Sequence, residues 1–397
     1  MHEGIRPMWA ALVALALTVT ACGGTSTTGG ATSASPAASL AKADIKVGVV
    51  ISLTGVANVY GPTQKNGVEL AAQRINDAGG ANGAKLVLVI EDDQSTPDGG
   101  VTAFRKLVSQ DRVAAILGPT LSGTAVAAHP VAQSAQTPTI AISNTGDGIV
   151  GKCAYGACDY IFRASLGESA AIPETVKTVK AKLNLKSVVL MYAQDDKFSS
   201  DGFAIFKKSL DAQGITIKKE IAFSKNDVDL SGAVTQALAE NPDAIVDTSL
   251  AGPAINILKE VFKRKPGLPV IGGNGFNTPA IIASAGAAAE GAISGTAWFL
   301  GNTDPVNKDF VAAYKAKYNT DPDQFAAQSF SGLYILLDAL KRTPTPNSVL
   351  HDKLRDQLEL TTGVKTPLGE FSFTKDHDVS QKIYVVQIKG GQFTLIN

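Results

Sequence analysis

The sequence predicts an α/β protein of two Rossmann-like, doubly wound lobes, and three observations carry that reading. Apolar runs of strand length alternate with amphipathic segments of helix length along nearly the whole chain, the pattern of βα units around a parallel sheet. The alternation pauses at a stretch holding Cys153 and Cys158 and then restarts, which divides it in two. The body carrying it, about 350 residues of a 397-residue chain that is 45% apolar, is long enough for two ordinary domains.

The continuous apolar run at 45–53 reads as a buried strand, and 62–77 as a helix opened by Pro62 and closed by Gly79 and Gly80. A strand at 84–90, a helix at 101–109, a strand at 113–117, a helix at 123–134 and a strand at 137–142 complete the first lobe. The second opens with a helix at 168–183, a strand at 187–192 and a helix at 202–213. Strands at 216–222, 244–247, 269–271 and 292–297 follow, separated by helices near 231–239, 253–263 and 278–285. The remainder has helices near 306–318 and 324–341 and strands near 369–373 and 382–388. It is too short for a third domain and is assigned to completing the first two.

Residues 1–21 have the layout of a secretory leader, with Arg6 in the opening segment and an apolar run from Met8 to Leu17. Even counted from Met8 to Ala21 the run is fourteen residues, short of the about 20 that a membrane-spanning helix needs. Val19, Thr20 and Ala21 lead into Cys22, which resembles a lipobox, where the thiol is acylated and the cysteine becomes the first residue of the mature protein. Residues 22–43, mostly Gly, Ser, Thr and Ala, then form a flexible tether reaching on the order of 25 Å. Cys153 and Cys158 remain as a pair. An exported context and a short loop containing Gly156 favour a disulfide, whereas a metal site would need two further ligands.

Several function classes are excluded. Formal net charge is zero with no basic cluster, so the electrostatic footprint of a nucleic-acid binder is missing. There is no Gly-x-Ser-x-Gly elbow and no His-Glu-x-x-His helix. Gly118 to Gly123 has the glycine spacing of a phosphate loop, but Thr124 stands where its lysine must be, and Gly273-Asn274-Gly275 is only a fragment of a dinucleotide fingerprint. His2 lies in the leader, and His129, His351 and His377 are separated singles. The chain is therefore expected to have no catalytic residue, no metal and no cofactor.

The stretch Val47-Gly48-Val49-Val50-Ile51-Ser52-Leu53-Thr54-Gly55 with Tyr60-Gly61, then Gly67-Val68-Glu69-Leu70-Ala71-Ala72, Ile75-Asn76-Asp77-Ala78-Gly79-Gly80 and Asp92-Asp93, resembles one family closely. It is that of the two-lobed substrate-binding proteins of branched-chain amino-acid type ABC transporters, the leucine/isoleucine/valine-binding group with the type I periplasmic binding protein fold. The resemblance runs from Ile45 to about Phe393. It implies a three-crossover hinge near 165, 297 and 375, with one lobe of residues 44–164 plus 298–375 and another of 165–297 plus 376–397.

In such folds ligand sits outside the carboxyl ends of the strands, between the lobes. Gly118-Pro119-Thr120-Leu121-Ser122-Gly123 runs from strand into helix, so amides, a hydroxyl and a helix N-terminus converge where an anion would bind. The resemblance assigns Ser122 to the ligand carboxylate, although a plain N-cap also accounts for it. It assigns the partner loop to Asn144, Thr145, Gly146 and Asp147, and aromatic cover to Tyr60 and Phe198. Phe198 reads equally as a core aromatic, and Leu250 stands where the family has a tyrosine. Asn274 replaces the acidic residue that usually pairs with the ligand's ammonium. A neutral amide supplies no charge, so Asp147, Asp195, Asp196 and Asp247 become candidates for the missing one.

The expected function is an extracytoplasmic, monomeric, membrane-anchored lipoprotein that takes a small carboxylate ligand, a branched-chain amino acid or an apolar organic acid, and delivers it to an ABC permease. A ligand-sensing domain acting with a separate membrane partner is the alternative.

Overall fold

Alternation of β1 (Ile45–Ile51), α1 (Gly61–Asp77), β2 (Leu86–Asp92), α2 (Pro97–Lys106), β3 (Ala115–Leu117), α3 (Ser122–Ser134), β4 (Thr139–Ala141) and β5 (Ile161–Arg163) builds a five-stranded sheet in the order β2-β1-β3-β4-β5. All its pairs are parallel. The computed structural model describes residues 43–343 and 350–396; the leader, Cys22 and nearly all of the tether lie outside the described residues.

The second sheet grows from α4 (Glu168–Leu183), β6 (Ser187–Ala193), α5 (Lys197–Ala212), β7 (Thr216–Phe223), α6 (Ser231–Ala239), β8 (Ala244–Asp247), α7 (Ala251–Arg264), β9 (Val270–Gly272), α8 (Pro279–Ala285) and β10 (Ile293–Thr296). Its parallel strands run β7-β6-β8-β9-β10, repeating the order of the first sheet. Next come α9 (Pro305–Tyr318), α10 (Gln324–Arg342), α11 (His351–Glu359), β11 (Val364–Thr366) and β12 (Gly369–Phe371). Finally β13 (Tyr384–Lys389) pairs antiparallel with β10, and β14 (Gln392–Leu395) with β13. The chain thus passes between the sheets three times, after β5, after β10 and after β12.

Each sheet is covered on both faces, so its central strands such as β6 and β8 are buried almost throughout, whereas the edge strand β7 is largely exposed and polar. Val189 and Met191 of β6 face α6 and α7, while Val188 and Leu190 face α4 and α5. In the first lobe α1, α9 and α10 close one face, and α2 and α3 the other. Tyr60, Leu121 and Phe325, which follow first-lobe strands or open α10, join the apolar cluster of the second lobe.

Most expected elements appear, with displaced ends. α2 begins at Pro97 rather than 101 because the Thr96 hydroxyl accepts the Gly99 N–H at 3.0 Å. α5 begins at Lys197 rather than 202 because Asp196 accepts the Ser199 N–H at 3.0 Å. Caps are polar and local, so counting apolar periodicity starts such helices a turn late. β5, α11, β11 and β14 are additions to the expected list. Cys153 and Cys158 are joined by a disulfide in the β4–β5 connection. Among the described residues, no helix is long and apolar enough to cross a membrane.

Candidate functional site

In a doubly wound sheet a crevice opens where connections from neighbouring strands depart in opposite directions. Here that happens between β1 and β3, and again between β6 and β8. The four loops leaving those strands carry Tyr60, the segment 118–122, Phe198 and Leu250, and they face one another. Tyr60, Thr120, Leu121, Ser122, Thr145 and Phe325 form one wall of a cavity, with Ser143 beside them. Phe198, Leu250, Asn274 and Gly275 form the opposite wall. The space between is about 20 Å³, room for about one water, so a larger molecule enters only when the walls part.

Tyr60 closes the cavity. Its ring lies 4.5 Å from that of Phe325, and its hydroxyl donates to the Gly275 carbonyl at 3.0 Å while accepting the Ala251 N–H at 2.8 Å. Burial raises the phenol's pKa, so the group stays a neutral donor and acceptor.

The 118–122 loop is set by Gly118, whose φ of +120° suits glycine and where a Cβ would stand 2.1 Å from the Val50 carbonyl oxygen. Thr120 anchors the loop, its hydroxyl accepting the Ser52 N–H at 2.9 Å and donating to Gln64 at 2.7 Å. The Ser122 hydroxyl, at the first position of α3, accepts the Gly146 N–H at 3.2 Å. The side chain makes no N-cap of α3, whose capping position is Leu121. Two loops are thereby held side by side at a helix N-terminus, an electropositive setting.

Asn274 has a fixed orientation. Gln324 Oε1 accepts the Ala297 N–H at 3.0 Å, which leaves its Nε2 to donate to Asn274 Oδ1 at 2.6 Å. The Asn274 amide oxygen is therefore engaged, and the group offers the cavity a donor rather than an acceptor for an ammonium. Behind Asn274, and like the other acids not itself lining the cavity, stands Glu168, the first residue of α4. Its Oε1 accepts the Asn274 N–H at 2.7 Å, and its own N–H donates to the Thr145 carbonyl at 2.8 Å. Burial pushes its carboxyl up to about 7, with Asp147 adding to the rise.

Other expected residues lie elsewhere. Asn144 Nδ2 donates to the Thr120 carbonyl at 3.2 Å, supporting the loop from behind. Gly146 is held by Ser122, and its carbonyl accepts from Arg163 at 2.9 Å. Asp147 is exposed and its N–H donates to Asp201. None of these three lines the cavity. Nor do the other acids proposed for the missing charge: Asp195 holds Ser224 and Lys225, Asp196 caps α5, and Asp247 accepts twice from Ser249. Phe325 and Glu168 were missed because both open helices, and only the packing of those helices brings Phe325 to the cleft and Glu168 behind Asn274. Among the described residues, no group of His, Cys, Asp and Glu is placed to hold a metal.

Known proteins share this fold. The Leu/Ile/Val-binding protein homolog 7 of Brucella abortus is 27% identical over 346 residues, 83% of this chain and 84% of that protein. The substrate binding protein LivJ of Streptococcus pneumoniae, in complex with isoleucine, superposes with a TM-score of 0.82 at 28% identity, covering 88% of this chain and 97% of that one. A solute binding protein of an ABC transporter from Rhodopseudomonas palustris, in complex with 3,4-dihydroxy benzoic acid, gives 0.77 at 26%, covering 88% and 95%. These are substrate-binding proteins and not enzymes. With residues 44–392 matched by the model of that family, the chain belongs to the periplasmic binding protein family.

Proposed function

We propose that this chain is an extracytoplasmic solute-binding lipoprotein that captures a small amino acid with an apolar side chain and hands it to an ABC permease. The observation that carries the reading is the pairing, across one cavity, of the Ser122 and Thr145 loops at the N-terminus of α3 with Asn274, whose N–H is held from behind the wall by the Glu168 carboxyl. The first suits a carboxylate and the carboxyl behind the second an ammonium, and Tyr60, Phe198, Leu250 and Phe325 surround them with apolar surface. Relatives support it by what they bind: isoleucine in the streptococcal protein, a benzoic acid derivative in the other.

An aromatic acid is the second reading, favoured by the aromatic walls. The amino acid is preferred because it offers Glu168 a cation, and a buried carboxylate without one is costly. Contacts to both walls exist only when the walls meet, so binding shifts the population toward the closed form, whose surface a permease reads. Acylation at Cys22 would confine the protein to the membrane and raise its effective concentration there.

Calorimetry on the full chain tests the reading. Isoleucine, leucine or valine should bind at least about tenfold more tightly than the matching keto acids, and Glu168→Gln should erase that preference. If only benzoates bind, the aromatic reading replaces this one; binding of a neutral sugar and no carboxylate would overturn both. Cys22→Ser should move the protein from the membrane fraction to the soluble one.

A further inference from the structure

The third crossing between the lobes is fastened along β5. The Arg163 N–H donates to the His377 carbonyl at 2.9 Å, and His377 Nδ1 lies 3.0 Å from the Ile161 carbonyl oxygen. The His377 ring stacks on Phe162 of the first-lobe core, with centroids 4.1 Å apart. Arg163 ends β5 just before the first crossing and is buried. Its Nε donates to Asp378 Oδ1 at 2.8 Å and its Nη2 to Asp378 Oδ2, a bidentate pair with a carboxylate of the third crossing. Its Nη1 donates in another direction, to the Gly146 carbonyl at 2.9 Å.

One planar guanidinium therefore meets three segments that are far apart in the sequence. Besides Gly146 and Asp378 it lies against Gly167, the capping position of α4 in the first crossing, where a Cβ would stand 2.7 Å from Nη2. Gly146 follows Thr145, a wall of the cavity, and is held at both its polar groups: its N–H by Ser122 and its carbonyl by Arg163. Neither Arg163 nor Asp378 lines the cavity. When lobes close, the change in backbone dihedrals falls on the segments that cross between them, and here two such segments and a ligand-loop carbonyl share one side chain. The arrangement needs the fork of an arginine. A lysine ammonium is a single point and cannot span two carboxylate oxygens and a carbonyl in another direction.

We infer that Arg163 is a positioning residue for ligand binding: it fixes the loop carrying Thr145 to the first and third crossings, so that this cavity wall and the hinge take up their places together. Its importance for binding rests on the reading of Thr145 as a ligand contact, whereas the mechanical link stands without any ligand. Asp378 is the accessible end of the device, its side chain 31% exposed against 5% for Arg163. Without that carboxylate the buried guanidinium loses its counter-charge and turns toward water, which releases the Gly146 carbonyl.

Asp378→Ala on the full chain is the test, because Arg163→Ala would empty a buried site and endanger folding. Hydrogen exchange read by mass spectrometry, without ligand, should show peptides covering 143–148 exchanging at least about fivefold faster in Asp378→Ala, with β1 of the same lobe unchanged. Asp378→Glu keeps a carboxylate at a partly exposed position and should stay within about twofold of the unmutated chain. Unchanged exchange at 143–148, an equal acceleration in β1, or Asp378→Glu as fast as Asp378→Ala would each overturn the inference. In calorimetry isoleucine should bind Asp378→Ala at least about tenfold more weakly than it binds the unmutated chain, and full affinity would overturn the role in binding. If the unmutated chain binds no isoleucine, the amino-acid reading fails, and the exchange measurement still decides whether Arg163 positions the loop.

Discussion

The hydroxyl of Tyr60 donates to the carbonyl oxygen of Gly275 at 3.0 Å, so a side chain from the first lobe is bonded directly to a loop of the second. The Tyr60 hydroxyl oxygen also accepts the Ala251 N–H at 2.8 Å. Tyr60→Phe keeps the ring against Phe325 but leaves a buried N–H and C=O unpaired, each costing about 1 to 3 kcal/mol in the closed form alone. Water satisfies both groups once the lobes part. The variant should therefore sit more open without ligand and show a larger radius of gyration by small-angle scattering; an unchanged radius would mean that the hydroxyl does not hold the lobes together.

Stability should fall as pH rises toward neutrality. Burial lifts Glu168, Asp247 and Asp323 each to about 7, from ordinary values of 4.5 for Glu and 3.8 for Asp. Below about pH 4 these groups are protonated in both states; above it the unfolded chain releases protons that the folded chain keeps, so folding loses ground until about pH 7. His129 acts oppositely, since burial lowers it from 6.5 to about 4, and it offsets roughly one of the three acids below 6.5. The lowered carboxyls of Asp92, Asp195, Asp229 and Asp243 act below this window. Calorimetric melting should show Tm declining between about pH 5 and 7.5, less steeply in Glu168→Gln; a flat or rising Tm would count against the burial argument.

Gly118→Ala should be among the most damaging single changes in the first lobe. The new Cβ would press on the Val50 carbonyl oxygen at 2.1 Å, and φ of +120° is unfavourable for alanine. A loss of about 3 kcal/mol or more in urea unfolding is expected. A loss within about 0.5 kcal/mol would show that the loop relaxes freely.

The disulfide should contribute modestly, because Cys153 and Cys158 are only five positions apart. Closing so short a loop removes about 2 kcal/mol of unfolded-state entropy. The double variant Cys153→Ser/Cys158→Ser should lose about that much in urea unfolding, and the unmutated protein should lose the same on reduction. No difference between oxidised and reduced protein would show that native strain cancels the gain.

Local chemistry made much of this molecule legible beforehand. Runs such as 45–53 and 187–192 could only be buried strands, Pro62 and the glycine pair at 79 and 80 framed α1, and the small-residue loops after β3 and β4 declared a polar crevice. Helix starts at Pro97 and Lys197 were hidden because Thr96 and Asp196 act through single side-chain hydrogen bonds that leave no periodic trace.

Sequence determined the class of fold through residues near one another in the chain, and its resemblance to the family implied Ser122, Tyr60 and Asn274 as cleft candidates, with no charge at 274. Tertiary structure alone decided that Glu168, 106 positions from Asn274, accepts its N–H, and that Gln324 turns the Asn274 amide. Sequence patterns report which face of an element is buried, but not which other element's end will meet it. That meeting is set by three chain crossings and the packing of two sheets, and it is what brings a carboxyl to the back of Asn274.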